Sequence, residues 1–233
     1  MSDSSQHILE LLRRLLAEGP GNPPAPDEPA AEAPEDADAS RAPGPAAAQL
    51  LWEALEGFDP YWLETREERL TFWINVHNAV AVYGSWPCRI GGASFSHEDI
   101  KYGILRNNSR RLYRPWRYLR LWDRRRRLAP QPPEPRAVFA LYRQGLSGGP
   151  CFFETEALNG QLHEAVVEFL ANGGVAIDRD SQSIRLSPLL RECAADFGGG
   201  QGVMRFIAAH LEPSEDTAFL YAKAGRVDII FEK

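Results

Sequence analysis

The sequence predicts an α+β fold, a helix-rich single domain with a small antiparallel sheet around a buried central helix. Residues 67–83 form a run that is apolar on nearly every side of a helix, which is typical of a buried helix. Later segments combine amphipathic helices with short strands that return on themselves. The sequence has no βαβ alternation, no G-x-G-x-x-G motif and no phosphate-binding loop, so a parallel nucleotide-binding sheet is not indicated.

The composition excludes several classes of protein. The 233 residues include 44% hydrophobic and 25% charged residues, which is ordinary globular usage for one large or two small domains. A formal net charge of −6 argues against a general nucleic-acid binder. Three cysteines without a C-x-x-C pair indicate neither a disulfide framework nor a zinc site. We expect a soluble, cytoplasmic protein without signal peptide, membrane span, metal or cofactor.

The chain divides into three parts. Residues 1–19 are predicted to form an amphipathic helix, which Ser5 can cap. This helix either binds a partner or another copy of the chain, or it folds back on the domain, which is the interpretation that we favour. Residues 20–45 contain eight prolines, six acidic residues and no aromatic residue, and this composition predicts a disordered linker. Residues 46–233 form the globular domain.

The central helix is predicted to begin after Thr65, because Glu68 three residues later completes a capping box, and to end near Tyr83. Asn75 and Asn78 are three residues apart and share a face of this helix. A buried amide needs hydrogen-bond partners, so two loops or strand ends are expected to dock on this face. We therefore assign both asparagines a structural role.

The remaining elements follow from periodicity and from turn residues. Before the central helix, a helix over 46–57 is followed by the large apolar residues Phe58, Tyr61 and Trp62. The predicted elements after it are an irregular stretch at 85–98, a helix at 98–105, a buried strand or short helix at 137–142, a helix at 155–171 capped by Thr155, a hairpin at 175–187, helices at 187–196 and 201–211, and a second hairpin at 218–231 around Ala224 and Gly225.

A basic arm occupies residues 101–127, where eleven basic residues stand against one acid, Asp123. Aromatic residues are interleaved with the arginines, at Tyr113, Trp116, Tyr118 and Trp122. This mixture suits RNA or another polyanion, but we favour the other interpretations, which are a protein partner, the acidic linker of the same chain, or an arm that is anchored on the core. The candidate contact residues are Arg110, Arg111, Arg114, Arg117, Arg120, Arg124, Arg125, Arg126 and Arg127.

One pair of residues could support nucleophilic catalysis. Cys151 follows the glycine-rich segment 145–150, and His77 could activate its thiol in a hydrolase or transferase. The simpler interpretation is a small core cysteine and a structural histidine. Cys88 and His97 lack a second ligand pair for a metal, and His163 and His210 receive no role.

The run Phe-Trp-Ile-Asn-Val-His-Asn-Ala at residues 72–79 resembles the signature of a family known as domain of unknown function 547. Residues 99–100, 103–106, 139–141, 162–170 and 196–198 resemble later segments of the family in the same order, so the resemblance spans about 46–233. Lys101, Tyr102, Val138, Gly148 and Gly149 replace Glu, His, His, Ser and Cys of the usual pattern. The resemblance therefore implies a degenerate, non-catalytic interaction or scaffold domain, with enzymatic activity uncertain.

Overall fold

The computed structural model describes residues 3–18, 46–84, 86–108, 118–142, 151–223 and 228–231. The predicted linker, the segment 145–150 and four arginines of the basic arm (Arg110, Arg111, Arg114 and Arg117) lie outside these residues. So do two of the arm's aromatic residues, Tyr113 and Trp116.

The described residues contain helices and short strands in an α+β arrangement, which confirms the predicted fold class. The helices are α1 (Asp3–Glu18), α2 (Ala46–Gly57), α3 (Arg66–Tyr83), α4 (Leu158–Phe169), α5 (Pro188–Cys193), α6 (Gly200–His210) and α7 (Glu215–Lys223). The strands are β1 (Cys88–Ile90), β2 (Ala93–Phe95), β3 (Val175–Asp178), β4 (Ser183–Leu186) and β5 (Asp228–Phe231). Short 3₁₀ turns span Pro60–Trp62, Arg124–Leu128, Pro135–Val138 and Ala194–Phe197. Turns of π-helix span Asp99–Leu105 and Leu170–Gly174.

Helix α3 is the buried central helix that the sequence predicts. The Thr65 hydroxyl accepts a hydrogen bond from the Glu68 backbone N–H at 3.1 Å, and the Glu68 carboxylate accepts one from the Thr65 N–H at 3.2 Å. Every residue from 70 to 80 is buried, and Gly84 follows the last turn. Because this stretch has apolar residues on nearly every face of the helix, all of its faces are buried and not only one of them.

Two hydrophobic cores meet in the molecule. The first core surrounds α3 and receives side chains from α1, α2, the β1–β2 hairpin, the Asp99–Leu105 turn and the start of α4. The second core lies between the β3–β4–β5 sheet, α5, α6 and the other side of α4. Helix α4 contributes Leu158 and Leu162 to the first core and Val166 to the second, so it lies between them.

The stretch 85–98, predicted to be irregular, contains the β1–β2 hairpin. Cys88 pairs with Phe95 and Ile90 with Ala93, around a turn at Gly91 and Gly92. Both glycines have positive φ, +57° and +73°. A Cβ on Gly91 would lie 2.6 Å from the Phe58 carbonyl oxygen, so this turn packs too closely for any larger residue.

The second predicted hairpin, at 218–231, is wrong. Helix α7 covers the first part of this segment, and β5 then pairs in parallel with β4, opposite Ile184 and its neighbours. The helix start is marked by Ser214, whose hydroxyl accepts a hydrogen bond from the Thr217 N–H at 3.2 Å. The first hairpin, β3–β4, is antiparallel as predicted, so the resulting three-stranded sheet is mixed.

Smaller differences concern where elements begin. Helix α1 begins before Ser5, so Ser5 lies inside the helix, and α4 begins at Leu158, so Thr155 does not cap it. Of the predicted strand or short helix at 137–142, residues 137–138 end the Pro135–Val138 3₁₀ turn and residues 139–142 are irregular chain. Among the described residues, none of the helices combines the length and the apolar character that crossing a bilayer requires.

Candidate functional site

Asn75 and Asn78 fasten two irregular segments to α3. The Asn75 side chain donates to the Phe153 carbonyl and accepts from the Phe153 N–H, both at 2.8 Å. The Asn78 amide donates to the Ala140 carbonyl at 3.0 Å and accepts from the Tyr142 N–H at 2.8 Å. Both side chains are at most 1% exposed. The two amides therefore pair backbone groups of segments that form no regular structure of their own.

His77 lies on the same buried stretch, 1% exposed. Its Nδ1 atom lies 3.4 Å from the Asn78 Oδ1 atom. The His77 ring centroid is 4.8 Å from that of His97 and 5.8 Å from that of Trp86. His77 thus belongs to a cluster of rings between α3 and the segment around the β1–β2 hairpin.

Cys151 and His77 both contact the side chain of Asn78. The Cys151 carbonyl oxygen accepts a second, longer hydrogen bond from the Asn78 amide, at 3.4 Å. The Cys151 residue is exposed, yet partial burial of its thiol and the nearby Glu168 carboxylate raise the thiol pKa. A raised pKa lowers the thiolate fraction at neutral pH, and the thiolate is the nucleophilic form.

The other two cysteines are poorer nucleophiles still. Burial raises the pKa of both the Cys88 and the Cys193 thiols to about 12. Within the described residues, no group of three or more His, Cys, Asp or Glu side chains is arranged to hold a metal ion. The structure does bring His163 and His210 together, with ring centroids 5.3 Å apart, although the sequence offered no spacing that linked them.

Arg125, in the described part of the basic arm, is held by contacts within the chain. Arg125 forms ion pairs with Asp123 at 2.8 Å and with Asp99 at 3.0 Å, and it donates to the Ser94 carbonyl at 2.7 Å. The Asp123 carboxylate also accepts from the Arg125 N–H, which starts the Arg124–Leu128 turn. These bonds lower the pKa of Asp123. Arg125 therefore anchors the arm to the first core.

Neighbouring side chains of the arm point outward. Trp122 is 77% exposed and Leu121 is 70% exposed, and Arg120, Arg124 and Arg127 are exposed as well. The Arg120 guanidinium lies 6.0 Å from the centroid of the Trp122 ring. Among the described residues, none of these three arginines forms a salt bridge.

Two further exposed aromatic residues, Tyr61 and Trp62, belong to a neighbouring turn. The Pro60–Trp62 turn packs against the Arg124–Leu128 turn, and Tyr61 and Trp62 are 41% and 55% exposed. The sequence showed these two residues only as large apolar groups. We call the resulting surface the arginine–aromatic face. It consists of Tyr61, Trp62, Arg120, Leu121, Trp122, Arg124 and Arg127.

Arg106, at the start of the basic arm, does not belong to that surface. Its side chain is 1% exposed and forms an ion pair with Asp196, and it donates to the Glu192 carbonyl at 3.2 Å. Lys101 reaches the Glu192 carboxylate at 3.1 Å. This buried network joins the Asp99–Leu105 turn to the end of α5 and the turn that follows it, and sequence reasoning missed it because the partners are about ninety positions apart.

Residues 63–170 match the family described as Protein of unknown function, DUF547. This region belongs to the DUF547 family. The DUF547 region thus contains α3, the hairpin, the described arm and α4, whereas the β3–β4–β5 sheet lies outside the match. Neither the curated proteins nor the solved structures include a match to the chain.

Proposed function

We propose that this DUF547 protein is a non-catalytic interaction domain whose arginine–aromatic face binds an acidic segment of a protein partner. The observation that carries the proposal is the 77% exposure of Trp122 beside Leu121, on a turn that Arg125 anchors. Tryptophan buries a large area when a partner covers it, and tryptophan and arginine are the residues most enriched at binding hot spots.

The anchoring of the turn supports the proposal. Arg125 bonds to three different oxygen-bearing groups, of Asp123, Asp99 and Ser94, and Arg126 donates to the Leu121 carbonyl at 3.0 Å. The backbone beneath Leu121 and Trp122 is therefore held before any partner arrives. A surface that is ordered in advance loses less conformational entropy on binding, so more of the contact energy becomes affinity.

The charge of the face indicates the chemistry of the partner. Arg120, Arg124 and Arg127 present three positive charges around two apolar side chains, on a chain whose net charge is −6. Such a local basic patch steers acidic partners toward the face. The best match is a segment that alternates carboxylates with large apolar residues.

The test is affinity capture with the full-length chain and three forms of it. Trp122→Ala and Arg124→Glu change the face, whereas Arg205→Glu, on the exposed side of α6, is the charge-matched control. We expect both face variants to lose the same captured proteins by tenfold or more, and the control to keep them. Retention of every protein by both face variants contradicts the proposal.

Nucleic acid is the alternative ligand that the same experiment can reveal. Capture that disappears after nuclease treatment, together with a steep fall in affinity between low and moderate salt, would assign the face to RNA or DNA instead of a protein. The acidic protein partner predicts capture that survives nuclease and depends only moderately on salt.

A thiol-dependent hydrolase or transferase is the second candidate, supported by the Asn78 side chain, which contacts both His77 and the Cys151 carbonyl. The raised pKa of Cys151 opposes it. We expect iodoacetamide to label Cys151 in the folded protein no faster near neutral pH than it labels a small free thiol. Much faster labelling, lost in the His77→Ala variant, would favour the enzyme.

A further inference from the structure

Helix α1 lies against the DUF547 region although a long segment separates the two in sequence. Five of its apolar side chains are between 0% and 9% exposed and pack against α2 and α3; they are Ile8, Leu11, Leu12, Leu15 and Leu16. Residues 19–45, which connect α1 to α2, number 27 and include eight prolines. The groove between α2 and α3 therefore binds an amphipathic helix that is joined to it only through this connection.

Arg13 of α1 contacts the segment 152–154, which lies beside the groove. The Arg13 guanidinium forms a salt bridge with Glu154 at 2.9 Å and lies 5.1 Å from the centroid of the Phe152 ring. Arg14, one position later, pairs instead with Glu10 on α1 itself, at 3.0 Å. Arg13 is thus a charged residue of α1 that contacts the chain outside α1, beside the groove.

The fit of α1 to the groove is incomplete on this side. A cleft of about 180 Å³ remains between α1, Thr71 and the segment around Glu154. The Thr71 hydroxyl oxygen is buried there and has no hydrogen-bond partner among the described residues. The cleft and the unpaired hydroxyl both reduce the stability of the contact between α1 and the rest of the chain, which favours detachment of α1.

We propose that the groove between α2 and α3 exchanges α1 with a second copy of this chain, so that two chains form a reciprocal dimer. A second copy carries the same apolar stripe and the same arginine, so its α1 satisfies the groove without any new complementary surface. The connection can span up to about 90 Å when extended, which is ample for a neighbouring molecule. A detached 16-residue helix is marginal in water, so α1 occupies one groove or another.

Charge reversal across two chains tests the exchange. In Arg13→Glu alone, a glutamate faces Glu154 within the same molecule, and in Glu154→Arg alone, an arginine faces Arg13. When the two variants are mixed, exchange pairs opposite charges in both grooves. We expect mixed dimers, measured by native mass spectrometry, to exceed the dimers of either variant alone by tenfold or more.

Arg14→Glu mixed with Glu154→Arg is the matched control, because Arg14 does not contact the groove. This mixture should form no more mixed dimer than Glu154→Arg with the wild-type chain. Circular dichroism and size-exclusion chromatography establish beforehand that each variant is folded. If the Arg13→Glu and Glu154→Arg mixture remains monomeric, α1 binds only within its own chain and the proposal is wrong.

The wild-type chain provides a measurement that needs no folded variant. Two isotopically distinct preparations are mixed at concentrations up to about 1 mM, which is the order of the effective concentration that a flexible tether provides. The proposal predicts mixed dimers that increase with concentration, and failure to detect them at the highest concentration overturns it. Because this groove and the arginine–aromatic face share no residue, failure of one proposal leaves the other unaffected.

Discussion

The two hydrophobic cores differ in the buried polar side chains that they contain. The first core encloses Asn75, Asn78 and His77 on one helix, and the two asparagines bind the backbone of segments 139–142 and 151–153. The second core consists of apolar side chains and the Cys193 thiol, most of them from a sheet and helices whose backbone groups are paired within those elements. Regular structure pairs its own backbone, whereas irregular chain needs side chains to do so.

This difference explains why an apolar helix that is buried on all sides tolerates amides. The segments that cover α3 on that side have no ladder or helix to satisfy their N–H and C=O groups. Asn75 and Asn78 supply those partners, and the cost of losing them is the cost of unpaired buried groups. Around the second core, comparable sensitivity is expected only from loss of packing volume.

The largest expected effect is at the junction of the two cores. Asp196→Ala leaves the buried Arg106 guanidinium with Glu192 as its remaining acidic neighbour. Breaking a buried ion pair typically costs about 3–5 kcal/mol, and we expect a loss near 3 kcal/mol in urea unfolding followed by circular dichroism. If the cores depend on this junction, the unfolding transition should also broaden or divide in two.

The exposed Arg179–Glu215 pair is the control for that substitution. Glu215→Ala removes an ion pair of the same chemical type from the surface, where solvent screens it, and should leave the transition nearly unchanged. Equal losses from Asp196→Ala and Glu215→Ala would show that burial does not give the junction its importance.

The next largest effect concerns the asparagines of the first core. Asn75→Ala leaves the buried N–H and C=O of Phe153 unpaired, at about 1–3 kcal/mol for each such group. We expect a combined loss of about 2 kcal/mol, the lower end for two such groups, in the free energy of unfolding from urea titration. Asn172→Ala, at an exposed position beside the second core, should change it by less than about 0.5 kcal/mol.

Removing one methyl group from each core should have equal effects. Ile74 in the first core and Ile184 in the second are both 0% exposed. Each Ile→Val substitution is expected to cost about 1 kcal/mol, because transfer and cavity terms depend on packing and both sites are fully packed. Thermal unfolding of the two variants would reveal any difference, and a clearly larger loss at Ile74 would mean that the cores differ in packing as well as in polar groups.

The smallest effect is the pH dependence contributed by His210. Burial lowers the pKa of His210, and the nearby His163 and Arg136 add to this, while the Phe206 carbonyl and Glu134 oppose it. The unfolded chain therefore binds a proton at higher pH than the folded chain, and stability falls as pH decreases below about 6.5. His210→Gln should reduce the loss of stability between pH 7 and pH 5, and an unchanged loss would assign it to other groups.

Sequence reasoning predicted the parts of the fold that local patterns specify. The capping box at Thr65 and Glu68, the glycine after α3 and the strand alternation around Ile177 and Ile184 are each encoded within a few residues. The parallel pairing of β5 with β4 was missed because partners in a parallel pair are far apart in sequence and no turn joins them. The prediction of a hairpin at 218–231 around Ala224 and Gly225 did not use Ser214, which marks the start of α7 in the structure.

The candidate sites divide in the same way. Arg120, Arg124 and Trp122 were recognisable from composition, and they lie at the surface as the charge pattern suggested. Arg125 and Arg106 are both arginines of the basic arm, but their environments differ. Arg125 anchors a turn, whereas Arg106 is buried against Asp196. Tyr61 and Trp62 join the face because their turn packs against residues sixty positions later.

The sequence by itself determined the central helix, the position of its two asparagines, the amphipathic α1 and the basic arm, since these depend on neighbouring residues and on helical period. Only the tertiary structure decided which arginines are held and which are exposed, which backbone groups the asparagines bind, and where α1 docks. Those outcomes depend on contacts between distant segments. The residues next to a charged or amide side chain in the sequence do not specify the partner that contacts it in the folded protein.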